Sequence, residues 1–253
     1  MIDVHTHLLP EMDDGPVDDL ASIAMARVAV EHGIREMVAT PHVREDHPNF
    51  DAGPIRRAVG RVQALLDVEE IPLRVWPGGE VAMGPALELG EEELRALTLG
   101  GQGALLLETP HGRLPSIFET LVESLLGRGL RVVLAHPELN PDLQDDPDRL
   151  GRLVAAGALA QVTATSLSGG RARHRTFAVE ALERGWVHVV ASDSHSADWR
   201  PPTMEPAREA AGPLMGWLTE DVPRALLRGA PVPERPLPPG PARRRGLRAR
   251  LRR

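Results

Sequence analysis

Apolar and polar positions along this chain fall into alternating blocks. Short runs of Val, Leu, Ile and Ala recur from residue 2 to about residue 191, and each is followed by a longer stretch whose apolar residues return every three or four positions. Side chains repeat every two residues on a strand and every 3.6 on a helix, so the blocks read as strands and helices in turn. The pattern predicts strands at Ile2–His5, Glu36–Ala39, Leu73–Trp76, Ala104–Leu107, Arg131–Ala135, Ala160–Thr163 and His188–Ala191. Helices are predicted between them at Asp19–Glu31, Pro54–Val68, Glu91–Leu97, Pro115–Arg128, Pro147–Ala155 and His174–Glu183, most opening on Pro or Asp and several closing on Gly. Seven βα units in one series, with no flexible linker inside it, predict a single α/β domain. The expected form is a closed or nearly closed barrel, with an open doubly wound sheet as the alternative. Further helices are predicted at Met204–Met215 and Pro223–Arg228, so the barrel domain spans 1–230. The proline-rich run Pro231–Pro241 then predicts a tether, followed by an arginine-rich tail.

Composition narrows the chemistry. The 253 residues contain no cysteine, which removes disulfides, thiolate nucleophiles and sulfur-ligated metals. All 29 basic residues are arginine, so lysine chemistry is absent as well. The arginine bias and the 24 prolines fit either a high working temperature or biased codon usage. No apolar run reaches the roughly 18–20 residues a membrane span needs, and the first residues lack the pattern of a signal peptide. A cytoplasmic location is expected. The net charge of −7 argues against a nucleic-acid binder, yet Arg243–Arg253 holds seven arginines and leaves −14 on the remainder. That tail is expected to be a mobile tether to an anionic surface.

Metal-capable side chains follow the strand ends. His5 and His7 close the first strand, and an H-x-H pair on extended backbone projects both rings to one side. His42 follows the second strand, Glu80 the third, Glu108 the fourth, His136 the fifth, and Asp193 and His195 the seventh, while Asp13 and Asp14 sit in the acidic loop after the first. In a parallel barrel those ends share one face, so the candidates are expected to converge. A carboxylate ending an apolar strand such as Ala104–Glu108 is costly to bury unpaired, and a cation is the simplest compensation. His32, His47, His174 and His188 do not share the pattern and read as structural or surface residues. His111, three residues after Glu108, is the one other histidine placed to approach a substrate.

The ordered set resembles the polymerase and histidinol phosphatase (PHP) superfamily, and within it the bacterial metal-dependent protein-tyrosine phosphatases of capsular and exopolysaccharide regulation. The likeness runs from Ile2-Asp-Val-His-Thr-His7 and Asp13-Asp-Gly15 through Ala39-Thr-Pro-His42, Gly79-Glu80, Glu108 and Ala135-His-Pro-Glu138 to Ala191-Ser-Asp-Ser-His195 and Arg200-Pro-Pro202. It implies a distorted (β/α)7 barrel with three divalent cations, manganese by preference over iron or zinc. By the resemblance His5, His7, Glu80 and Asp193 hold the first cation. Glu80 bridges to a second held by Glu108 and His136, and Asp14, His42 and His195 hold the third. It further implies hydrolysis of phosphate monoesters, most of all phosphotyrosine in a protein such as a bacterial tyrosine kinase, by a metal-activated water. Asp193, His136 and Arg200 are the expected catalytic residues, Arg200 also binding phosphate. One position departs: the family segment after the fifth strand carries an arginine where this chain has Leu139. Loss of a charge-assisted contact costs about 1.5–3 kcal/mol, so Arg44 or Arg113 is expected to substitute, or the substrate to differ. A histidinol-phosphate-like activity, a phosphoesterase acting on nucleic acid, and an amidohydrolase are the rival readings. The last is disfavoured because many amidohydrolases need a carboxylated lysine.

Overall fold

The computed structural model describes residues 1–46 and 51–236. His47, the run beyond Pro236 and the tail Arg243–Arg253 lie outside the described residues. Nine parallel strands are formed among those described: β1 (Ile2–Thr6), β2 (Glu36–Ala39), β3 (His42–Val43), β4 (Arg74–Pro77), β5 (Glu80–Val81), β6 (Ala104–Glu108), β7 (Arg131–Ala135), β8 (Leu159–Thr163) and β9 (Val187–Ala191). The regular ladders divide into a three-stranded sheet, β1-β2-β4, and a six-stranded sheet, β3-β5-β6-β7-β8-β9.

Seven strand lines underlie the nine segments. β2 and β3 are one line broken at Thr40-Pro41, where proline has no N–H to give the ladder. β4 and β5 are one line broken at Gly78-Gly79, where a Cβ on Gly79 would lie 2.9 Å from the Val43 side chain. Backbone bonds cross the breaks, from Thr40 N to Thr6 O (2.8 Å) and from Glu80 N to Pro41 O (3.1 Å). Between β1 and β9 the ladder thins to a Thr6–Ser194 bridge, flanked by Asp193 N to His5 O at 2.9 Å and His7 N to Ser194 O at 2.8 Å. The seven predicted strands therefore correspond to seven lines, and the two short segments β3 and β5 were illegible because two residues carry no periodicity.

Helices cover the outside. α1 (Asp19–Glu31) is capped by Asp18, whose carboxylate accepts from Ala21 N at 2.8 Å. α2 (Ala52–Val68) buries Ile55, Val59, Val62 and Leu66, a stripe at helical spacing. α3 (Met83–Glu88), α4 (Glu91–Ala96), α5 (Phe118–Gly127), α6 (Pro141–Asp145), α7 (Asp148–Ala155) and α8 (Ala172–Glu183) follow. Strands walled on both faces lose their alternation, and all five residues of β6 are buried. Each fully buried Leu or Val in these strands contributes about 1.5–3 kcal/mol of transfer free energy.

Two expectations need correction. The helix expected over Met204–Met215 is broken into 3-10 turns at Glu205–Ala207 and Gly212–Leu214 around the short α9 (Arg208–Ala211). Pro206 and Pro213 remove donors, and Gly212 turns the chain at φ 49°. A π-helical turn, Trp217–Asp221, leads into α10 (Val222–Leu227). The first residues of the expected tether, in turn, lie against the body: Pro233 O accepts from Trp217 Nε1 at 3.1 Å and Arg235 donates to Leu182 O at 2.7 Å.

Candidate metal centre

The strand ends deliver their side chains to one place. His5 lies within β1 and His7 one residue beyond it, Glu80 opens β5, Glu108 closes β6, and His136 follows β7 directly. His136 and Asp193 both adopt left-handed backbone, φ 34° and 51°, which no regular strand allows. Such strain persists only where the surroundings enforce it, and here it turns each side chain out of its strand line toward the others. The Asp13-Asp14-Gly15 loop folds back over β1 so closely that a Cβ on Gly15 would stand 2.4 Å from His7 O. Only glycine fits that approach.

Four side chains form a compact quartet. His5 Nε2 lies 3.3 Å from Glu80 Oε2 and 3.5 Å from Asp193 Oδ1, and His7 Nε2 lies 3.5 and 3.4 Å from the same two oxygens. These separations are close to the roughly 3.4 Å between neighbouring ligand atoms that each stand about 2.1 Å from a divalent cation, and His5, His7 and Asp193 bring ligand atoms within 4.8 Å of one another. His5 Nε2 and His7 Nε2 are buried without a hydrogen-bond partner among the described residues, the condition expected of donors aimed at a cation. The donor set of imidazole nitrogen and carboxylate oxygen fits such an ion.

Three further groups bring possible ligand atoms within 4.8 Å of one another: His5, Glu80 and His136; His42, Glu80 and Glu108; and His7, Asp14, His42 and His195. Glu80 is the hub because its two oxygens diverge. Oε1 is 2.6 Å from His136 Nε2, while Oε2 is 2.9 Å from His42 Nδ1. Around Glu80, Glu108 groups with His42 and His136 with His5. Asp14 Oδ1 reaches His195 Nε2 at 3.3 Å and His42 Nε2 at 3.6 Å.

The rings are held from behind. His5 Nδ1 meets Gln161 Oε1 at 2.9 Å and His7 Nδ1 meets Asp13 Oδ2 at 2.7 Å, which leaves each Nε2 facing inward. Asp13 also accepts from His42 N at 2.9 Å, so it braces two loops rather than facing the cluster. Gln161 carried no signal in the sequence, since a buried glutamine in a strand is recognisable only once its partner is known. Asp3 was unremarked as well. It accepts from Ser192 N at 3.1 Å, tying β1 to the segment that carries Asp193, and burial pushes its carboxyl up to about 6.

The electrostatics follow from crowding carboxylates and imidazoles out of water. Burial opposes charge on His7, but Asp13, Asp193 and Glu80 outweigh it and push the imidazole up to about 10. Burial likewise opposes charge on His136, and Glu80 carries it to about 9. Glu80 would be raised by its own burial, yet His5 and His136 hold it well below the carboxylate range. Burial and the neighbouring Glu80 push Glu108 up. A site with this surplus of carboxylate favours cations of any kind, protons or metals.

At the rim, Arg200 pairs with Asp193 Oδ2 and places Nη1 3.3 Å from His195 Nε2. Arg44 Nη1 is 3.6 Å from Glu108 Oε1, so this arginine reaches the cluster. Arg113 is exposed and has no ion pair among the described residues. The His111 ring stands 5.1 Å from that of His136. His188 and His174 lie elsewhere, as does His32 at the end of α1.

The chain matches the model of the family described as capsular polysaccharide synthesis, CpsB/CapC, over residues 1–221. It is 35% identical over 253 residues to the tyrosine-protein phosphatase YwqE of Bacillus subtilis, covering 98% of each chain. It is 29% identical over 223 residues to the tyrosine-protein phosphatase CpsB of Streptococcus pneumoniae, covering 82% of this chain and 88% of that one. A crystal structure from work on YwqE and CpsB, described there as unique metal-dependent tyrosine phosphatases, superimposes with a TM-score of 0.82 at 34% identity, covering 92% of this chain and 96% of that one. A probable 2-pyrone-4,6-dicarboxylic acid hydrolase of Acinetobacter baumannii shares the fold alone, at a TM-score of 0.57 and 17% identity. Matched along most of its length by one family model, and by a relative of the same extent and shape, the chain belongs to the CpsB/CapC family.

Proposed function

We propose that the protein is a cytoplasmic metal-dependent phosphatase that hydrolyses phosphate monoesters, with protein phosphotyrosine as substrate and a bacterial tyrosine kinase as its natural partner. The observation that carries the reading is the quartet of His5, His7, Glu80 and Asp193 at ligand spacing, with its inward-facing nitrogens unpartnered. The names of the relatives supply the substrate class.

In this reading the quartet holds one cation. Glu80 would also serve a second, with Glu108 and His136, and Asp14, His42 and His195 would hold a third, with manganese first among the candidates and iron or zinc next. When bound, the cations offset the charge of a phosphate dianion and acidify water at neutral pH. The chain's own residues do the rest. Gln161 and Asp13 fix the rings of His5 and His7, so that the cage is set before substrate arrives. Arg200 turns its fork from Asp193 toward a phosphate oxygen, a geometry that guanidinium suits. Leu139 offers no charge there, and Arg44 beside Glu108 is the nearer substitute. A phenolate leaves with an ordinary pKa near 10, so it makes a smaller demand on a proton donor than an alkoxide does.

The test is turnover of a phosphotyrosine peptide, histidinol phosphate and a single-stranded oligonucleotide by manganese-loaded protein, with and without chelator. The expected result is chelator-sensitive hydrolysis of the peptide above the other two. Equal rates with chelator, or preference for another substrate, would overturn it.

A further inference from the structure

A groove of about 400 Å³ opens beside the metal centre, lined by His111, Leu139, Gln144, Arg171, Arg173 and His174. It lies next to the cluster, since the ring of His111 in its lining is 5.1 Å from that of His136. Next to the groove, the side-chain amide of Asn140 donates to Pro110 O at 2.6 Å and to Gly112 O at 3.0 Å, tying the loop of His111 to the segment of Leu139.

Its charge is positive. Arg171 and Arg173 are exposed on the opposite wall, at the start of α8. Arg173 pairs with Asp145 at 2.5 Å, both groups facing solvent, while Arg171 has no ion pair among the described residues. His174 feels the same field: burial, then repulsion from Arg171 and Arg173, hold its imidazole below the ordinary value. Gln144 is the other polar group facing the space, and its amide donates to Glu138 O at 2.6 Å. On a body whose net charge is negative, two arginines standing over a groove beside an anion-binding centre make a local field that selects for acidic ligands.

We propose that this groove receives an acidic side chain flanking the phosphotyrosine, so that the enzyme selects phosphotyrosine set in acidic sequence. The inference rests on the phosphotyrosine reading and adds a specificity determinant to it. An extended peptide advances about 3.3 Å per residue, so a carboxylate within a few residues of the phosphotyrosine can enter the groove while the phosphate occupies the centre. Arg171 is the main contact, having no ion pair among the described residues, and Arg173 joins when it exchanges Asp145 for the peptide carboxylate. Neither arginine takes part in the chemical step.

Manganese-loaded full-length protein tests this with two phosphotyrosine peptides that differ only in acidic or neutral residues on both flanks. The expected kcat/KM for the acidic peptide is roughly three- to tenfold higher, the range for one or two exposed charge contacts, and the margin narrows as salt rises. In Arg171→Ala/Arg173→Ala the preference disappears through KM, while turnover of a small aryl phosphate stays within about twofold. Arg171→Glu reverses the preference toward a basic-flanked peptide. Asp145→Asn, which frees Arg173, widens it. Equal kcat/KM for the two peptides in the wild type, or parallel loss of peptide and aryl phosphate turnover in the double variant, overturns the inference and leaves the phosphatase reading standing. Hydrolysis of neither peptide alongside turnover of histidinol phosphate overturns both.

Discussion

Histidines at the two ends of the barrel are buried to similar purpose and titrate in opposite directions. His188, second residue of β9, packs 6.1 Å from the Trp217 ring, accepts from Ala160 N through Nδ1 at 3.3 Å, and is pushed down to about 4, mainly by burial. His7 and His136, at the other end, are more deeply buried than the half-buried His188, and yet are pushed up to about 10 and 9. The difference is the company. Among the described residues no carboxylate shifts His188, whereas Glu80, Asp193 and Asp13 surround the others, and in a poorly solvated site those charges outweigh desolvation. A barrel wall and a metal cage are built from one residue type, and the carboxylates decide which is which.

Removing a cage carboxylate or imidazole should break the comparison most severely. Asp193→Ala and His136→Ala are each expected to lower aryl phosphate turnover at least a hundredfold, because each takes a ligand from the cations that the reaction needs. Steady-state rates with metal analysis on the same samples check this, and a variant keeping more than about a tenth of wild-type turnover contradicts the assignment. Chelator should reproduce the loss and manganese reverse it.

Proton counting sharpens the same contrast. With His7 pushed up to about 10 and His136 to about 9, both should carry protons at pH 7 in the metal-free protein, so manganese loading should release protons, fewer as the pH is raised through about 9 to 10. Calorimetry in buffers of different ionisation enthalpy measures the number, and loading without proton release at pH 7 would show that these imidazoles are neutral.

At the rim the expected effects are about tenfold. Arg200→Ala should raise KM for a phosphotyrosine peptide and Leu139→Arg should lower it, each with kcat less affected. If KM stays constant in both variants, phosphate is held elsewhere.

The smallest effect belongs to His188. Its folded pKa lies below the ordinary 6.5, so its contribution to stability is complete above pH 6.5 and is lost as the pH falls through about 4. The raised His7 and His136 behave in reverse in the metal-free protein: theirs is complete below 6.5 and is lost as the pH climbs through about 9 to 10. His188→Asn keeps an acceptor for Ala160 N but cannot protonate. It should reduce the stability lost between pH 7 and 5 by about 1 kcal/mol, a figure discounted for the ring's partial exposure, with turnover at pH 7 unchanged. Denaturant unfolding at the two pH values measures it, and identical acid sensitivity in the variant would place the titrating group elsewhere.

Much of this architecture was written in the order of residues. Strands walled on both faces must be continuous apolar runs, helices outside them must carry one apolar stripe, and a ligand at the end of each run converges once the runs are parallel. That is why β6 with Glu108 and β7 with His136 could be read directly, and why His5 and His7 declared themselves as a pair. Three things waited for the folded chain. The breaks at Thr40-Pro41 and Gly78-Gly79 depend on contacts between lines far apart in sequence, such as Gly79 against Val43. The meeting of Glu80 with His136 through one oxygen and with His42 through the other depends on which way each oxygen points. The bracing of His5 by Gln161, 156 residues away, and the opening of the Arg171 groove beside His136 are juxtapositions across the barrel. Sequence determines residue type and local period. Which buried polar groups find one another is decided by how the strand lines pack together, because only there do desolvation and charge pairing act between residues the chain keeps apart.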